Sequence, residues 1–67
     1  MTIGQSIKHA RIERGITQSE LSKISGVQQP LISLWESDKF APGAFNLICI
    51  ADALDMSIDE LVGRKRK

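Results

Sequence analysis

In Thr17-Gln-Ser-Glu20 and in Ser57-Ile-Asp-Glu60 a hydroxyl residue stands three positions ahead of a glutamate. Each reads as a capping box: the hydroxyl accepts from the third N–H of a helix, and the glutamate reaches back to the capping residue's own N–H. Ile16, just before the first box, is placed to act as its apolar staple. Gly26 and Gly63 then stop the two helices so begun, and Gly15 stops an earlier one that Thr2 can cap, with Arg14 in its last turn. Start and stop signals this close together leave room only for short helices. Apolar residues recur between them at helical spacing. The sets are Ile3, Ile7 and Ala10 with Arg11; Leu21 and Ile24; Leu31, Ile32 and Trp35; Leu47, Ile48, Ala51 and Leu54; and Leu61 with Val62. Pro42-Gly43 marks a break before the fourth set. Strict alternation is absent and β-branched residues form no run of strand length, so strands are not expected. The expected fold is all-α: a compact bundle of five short helices joined by tight turns.

A chain of 67 residues makes one domain, and one that buries only about 60% of its unfolded surface. Hydrophobic residues at 42% and charged residues at 25% fit an ordinary globular domain and argue against disorder. Cys49 stands alone, which excludes an intrachain disulfide and a Cys-rich zinc site and makes a reducing, cytoplasmic setting the simplest expectation. No apolar run approaches the ~20 residues of a membrane span, and the N-terminus lacks the basic-then-apolar order of an export signal.

Charge is unevenly placed. Up to residue 35, Lys8, Arg11, Arg14 and Lys23 outnumber Glu13 and Glu20. From Glu36 to Gly63 only Lys39 offsets Glu36, Asp38, Asp52, Asp55, Asp59 and Glu60. Arg64-Lys-Arg-Lys67 restores the balance to a formal +1. A molecule with this polarity can turn one face to phosphate and keep the other away.

The stretch Gln18–Ser37, QSELSKISGVQQPLISLWES, carries most of the functional information. It holds two short helices separated by Gly26, which can take a positive φ at no steric cost in a sharp turn. Ser22 is small where the first of the pair approaches its partner. Leu21, Val27, Ile32 and Trp35 can fix the angle between them. This is the pattern of a helix-turn-helix, whose second helix can enter a major groove.

The chain here resembles the lambdoid-phage repressor/Cro, or Xre-like, helix-turn-helix domains. The matching residues are Arg11, the T-Q-x-E-L run at Thr17–Leu21, Gly26-Val27, Q-P-x-I-S at Gln29–Ser33 and Trp35-Glu36. Pro42, N-L-x-x-I-A at Asn46–Ala51, Ala53-Leu54 and S-x-D-E-L at Ser57–Leu61 extend the match over nearly the whole chain. The resemblance implies a domain at residues 1–63 followed by a basic tail at 64–67. It also implies a sequence-specific, repressor-like regulator of transcription that binds a double-stranded operator, usually as a dimer on a two-fold site.

The recognition helix is expected to begin near Gln28, with Gln28 or Gln29 as its cap and Pro30 in the first turn, where a missing N–H costs little. The resemblance places this turn against base edges. Gln28 and Gln29 are the first candidates for readout, since a glutamine can pair bidentately with adenine; the alternative for each is a cap or a solvated side chain. Ser33 and Leu34 follow one turn on. Leu34 can meet a thymine methyl or stand as a scattered surface apolar residue. The resemblance makes Gln18 a phosphate clamp, Lys39 a second phosphate contact, and Arg11 with Glu36 a partly buried ion pair that orients the recognition helix. The loop departs from the family pattern. Phe40 and Ala41 bring no charge, Asp38 would repel phosphate, and Asp38 stands where the family commonly has a left-handed glycine. The tail reads equally as a DNA-backbone contact and as a solubilising end.

Outside this stretch little points to chemistry. His9 lacks a triad or ligand partner in sequence, Cys49 reads as a small core residue, and the acids after residue 50 read as a solvated face. No catalytic residues, metal, cofactor or small-molecule ligand are expected. A weak homodimer, strengthened on DNA, is expected around Met56, Ile58, Leu61 and Val62, although Ile58 and Leu61 read better as core. The competing function is an antitoxin-like or controller protein whose main partner is another protein, a reading that the acidic second half favours.

Overall fold

Thr2, Thr17 and Ser57 start their helices by the same exchange of bonds. Each side-chain oxygen accepts from a backbone N–H three residues on, at 3.0 Å in all three. The third residue returns the bond to the capping N–H, at 2.9 Å for Gln5, 2.8 Å for Glu20 and 2.9 Å for Glu60. Thr2 thus heads a full box in which glutamine replaces glutamate. The computed structural model describes residues 1–63. Its described residues form α1 (Ile3–Glu13), α2 (Gln18–Ser25), α3 (Gln29–Glu36), α4 (Ala44–Ala53) and α5 (Ile58–Val62), with no strand among them. The Arg64–Lys67 tail lies outside the described residues.

The core takes one or more residues from every helix. Ile7 and Ala10 of α1, Leu21 of α2, Ile32 and Trp35 of α3, Ile50 and Ala51 of α4 and Leu61 of α5 are buried together with Val27 and Leu54. Full burial of each large aliphatic side chain contributes about 1.5–3 kcal/mol. Helix α3 packs on α1 and α2, while α5 closes the far side against α1 and α4. The approach of α1 to α3 depends on Gly4, which is buried. A β-carbon there would overlap the Trp35 carbonyl and crowd Asp38. Thr2 Oγ1 donates to Asp38 Oδ1 at 2.7 Å across the same junction. Asp38 itself has φ 62°, in the left-handed region. Arg14 ties α1 to the end of α4, its Nε donating to the Leu54 carbonyl at 2.6 Å.

Three expected core residues lie outside the core. Ile24 is 59% exposed. The inward stripe of α2 is Gln18, Leu21, Ser22 and Ser25, because small serines let the helix come close to the turn and α3. Ile48 is 47% exposed, and Ile50 takes its place in the core. The inward stripe of α4 runs through Leu47, Ile50, Ala51 and Leu54, leaving Phe45 and Ile48 on the outer face. Leu31 is 38% exposed beside the buried Ile32. The surface expected to pair two copies also shrinks. Leu61 is fully buried, Met56 and Ile58 pack against the core, and of the four only Val62 is exposed, at 38%. None of the described helices is long and apolar enough to cross a membrane.

Candidate nucleic-acid interface

The turn between α2 and α3 is set by three groups. Gly26 has φ 78° and caps α2 through an N–H bond to the Ser22 carbonyl. The Ser22 hydroxyl donates to the Val27 carbonyl at 2.6 Å. Val27 N–H donates to Ser25 Oγ at 3.1 Å, and the Val27 side chain is buried. The N–H groups of Gly26 and Val27 and the carbonyls of Ser22 and Val27 thus find partners within the turn itself.

Helix α3 is held from its other end by an ion pair. Arg11 Nε donates to Glu36 Oε2 at 2.8 Å and Nη2 donates to Oε1 at 3.0 Å, a two-pronged contact. Arg11 Nη1 donates to the Ile16 carbonyl at 2.9 Å. The side chains are only 13% and 4% exposed. Hydrogen bonding to Glu36 raises the Arg11 pKa above its ordinary value despite partial desolvation, and the Glu36 charge adds to the effect. Gln18 joins the pair, its Nε2 donating to Glu36 Oε1 at 3.1 Å. One amide N–H of Gln18 is thus committed inside the protein, which leaves the other for an outside acceptor.

The residues expected to read bases fall on the outer side of α3. Gln28 is the helix N-cap by position, but no side chain makes the capping bond. Gln28, Gln29 and Ser33 are exposed, and their side chains make no hydrogen bond with any described residue. Gln29 and Ser33, four apart, share one stripe. Leu34 is half-buried. Helix α3 has no lysine or arginine, and Arg11 cancels its one charge. Lys39 is exposed beyond the helix, its N–H bonded to the Leu34 carbonyl at 3.0 Å and its ammonium without an ion-pair partner among the described residues. Lys8 of α1 lines a cleft with Gln18 and Ser33. The motif did not point to it; its place three residues before Arg11 on α1 was the available signal.

Elsewhere, His9 pairs with Glu13 at 3.4 Å on the exposed face of α1. Cys49 is half-buried against the core. No three His, Cys, Asp or Glu residues among the described ones gather as a metal site.

The sequence profile of the helix-turn-helix family matches residues 7–61, and the chain belongs to that family. It is 32% identical over 65 residues to the immunity repressor protein of Bacillus phage phi105, covering 97% of this chain and 45% of that protein. It is 36% identical over 64 residues to the cryptic phage CTXphi transcriptional repressor RstR of Vibrio cholerae serotype O1, covering 96% of this chain and 57% of that protein. The chain thus spans about half the length of these curated relatives. Among solved structures, the P22 c2 repressor protein in complex with a synthetic operator superposes with a TM-score of 0.86 at 32% identity, covering 97% of this chain and 98% of that one.

Proposed function

We propose that this chain is a sequence-specific, double-stranded DNA-binding repressor of the Xre-like class, without catalytic activity, working in the cytoplasm. Helix α3 enters the major groove. Gln28, Gln29, Ser33 and Leu34 meet base edges, while Gln18 and Lys39 hold phosphates. Arg11 and Glu36 fix the angle of α3. Residues 1–63 form the DNA-binding unit, and Arg64–Lys67 is a basic extension of it. Two copies pair weakly in solution and more firmly on a two-fold operator. The relatives support this reading, being phage repressors, as does the neighbour caught on an operator. The observation that carries it is the pairing of a rigidly mounted α3 with uncommitted amide and hydroxyl groups on its outer face. Such groups can read base edges, and the sequence-independent grip then comes from elsewhere.

The test is a shift assay over a range of salt, on a duplex selected by the protein from a random pool and on an unselected duplex of equal length. The reading requires a steep salt slope on both and a preference for the selected one. Absence of any preference after selection would favour a protein partner instead.

A further inference from the structure

Between Lys39 and Asp52 the chain runs without a charged residue, in a protein that is 25% charged. Within that run Phe40, Ala41, Gly43, Ala44, Phe45 and Ile48 are exposed. Phe45 is 77% exposed, Phe40 65% and Ile48 47%. Both phenylalanines of the chain thus lie outside the core, and Met1 apart, no large apolar side chain among the described residues is more exposed. Phe45 and Ile48, three apart on α4, form one stripe, and the loop leading to it begins with Phe40. That loop is pinned to the end of α3, the Lys39 and Phe40 N–H groups both donating to the Leu34 carbonyl, at 3.0 and 3.4 Å.

We infer that Phe45 and Ile48, with Phe40 at their approach, are the surface on which a second copy of this chain pairs. The inference rests on the DNA-binding reading above, which calls for two copies and leaves their contact open. The face expected from the sequence is mostly built into the core, with Val62 its one exposed residue. Asp59 and Glu60 precede Val62. A two-fold contact sets the same patch of both subunits together, and like charges so opposed repel. The α4 stripe has no charge to repel its copy. It also has no cation to hold phosphate, so a duplex backbone fits it poorly. The area points the same way. A phenylalanine buries about 150–250 Å² when fully covered, so these three partly exposed side chains offer roughly 400 Å² per copy. Roughly 800 Å² for the pair falls below the ~1,200–2,000 Å² of a stable complex. Such a pair is weak alone and firm when a duplex holds both copies. Half-sites one turn apart set two recognition helices about 34 Å apart, and a protomer measures 35 Å in its longest dimension and 21 Å in its shortest. Copies so spaced meet along an edge, where side chains projecting beyond the end of α3 can reach each other.

Phe45→Glu and Val62→Glu decide between the two faces, with urea unfolding as a fold control. Glutamate suits the first turn of a helix, so Phe45→Glu is expected to keep the wild-type urea midpoint. Sedimentation over a range of protein concentration should show the wild type and Val62→Glu passing from one chain to two, and Phe45→Glu remaining one chain. On the selected duplex the wild type should fill two half-sites cooperatively. Phe45→Glu should lose that cooperativity and still bind an isolated half-site as tightly as the wild type. Three results would overturn the inference while the DNA-binding reading stands: wild-type pairing by Phe45→Glu, loss of pairing in Val62→Glu, or an equal loss by Phe45→Glu on the isolated half-site, which would make Phe45 a DNA contact. So would a wild type that stays one chain in solution and fills the selected duplex without cooperativity. A wild type with no preference among duplexes would remove the DNA-binding reading, and sedimentation would still decide the pairing face.

Discussion

The carbonyl oxygen of Trp35 occupies the space that a β-carbon on Gly4 would need. Alanine in an exposed helix normally gains about 1 kcal/mol over glycine. Here the obstacle is backbone, which cannot swing aside. Gly4→Ala is expected to lose about 1–3 kcal/mol, the usual cost of overpacking, and to part the start of α1 from the end of α3. Urea unfolding checks this, and a variant as stable as the wild type would contradict the close approach.

Glu36→Ala leaves a guanidinium that is only 13% exposed without its partner. Breaking one side of a buried pair costs about 3–5 kcal/mol, and the remaining exposure of Arg11 moves the expectation to the low end. Glu13→Ala removes a solvated contact to His9 and is expected to stay within ±0.5 kcal/mol. Glu20→Ala removes half of a capping box and falls between them at about 1 kcal/mol. Thermal unfolding of the three variants tests the order.

Gln29→Ala is expected to leave stability unchanged, since its side chain makes no bond within the described protein. On the selected duplex it should cost about 1–3 kcal/mol and relax preference at one base pair. Equal losses on selected and unselected duplexes would make Gln29 a phosphate contact instead.

Glu60 offers a pH test. The Ser57 backbone N–H lowers its carboxyl pKa below the ordinary value, helped by the Ser57 side chain. Because the folded pKa is the lower one, the box's contribution is complete above the unfolded pKa and is lost as pH falls through the folded value. An NMR titration should place the Glu60 midpoint below that of an unfolded peptide, and Ser57→Ala should move it part of the way back. A midpoint at the peptide value would show that the box does not persist in solution.

The starts and stops of the helices were legible in the sequence because a cap is a local device. Thr17, Ser57 and Gly26 act within four residues of themselves, and the Arg11–Glu36 contact was legible only because the family resemblance joined two distant positions. What the sequence hid is tertiary. An eight-residue α2 makes barely two turns, so Leu21 and Ile24 were equally good markers of its inner face until the serines beside Leu21 were seen to pack inward. The need for glycine at position 4 lies in a carbonyl 31 residues away. The surroundings of Lys8 are hidden for the same reason. It meets Gln18 and Ser33 only across the cleft, and its neighbours in the chain do not announce them.

The side chains of Gln28, Gln29 and Ser33 make no hydrogen bond to the rest of the described protein, whereas Arg11, Glu36, Ser22 and Val27 carry the bonds that mount α3. Under the proposed DNA-reading role, mounting and address are thereby written in separate residues. A lineage built on this scaffold can drift from one operator to another by exchanging a few outward side chains, with the fold neither helping nor resisting.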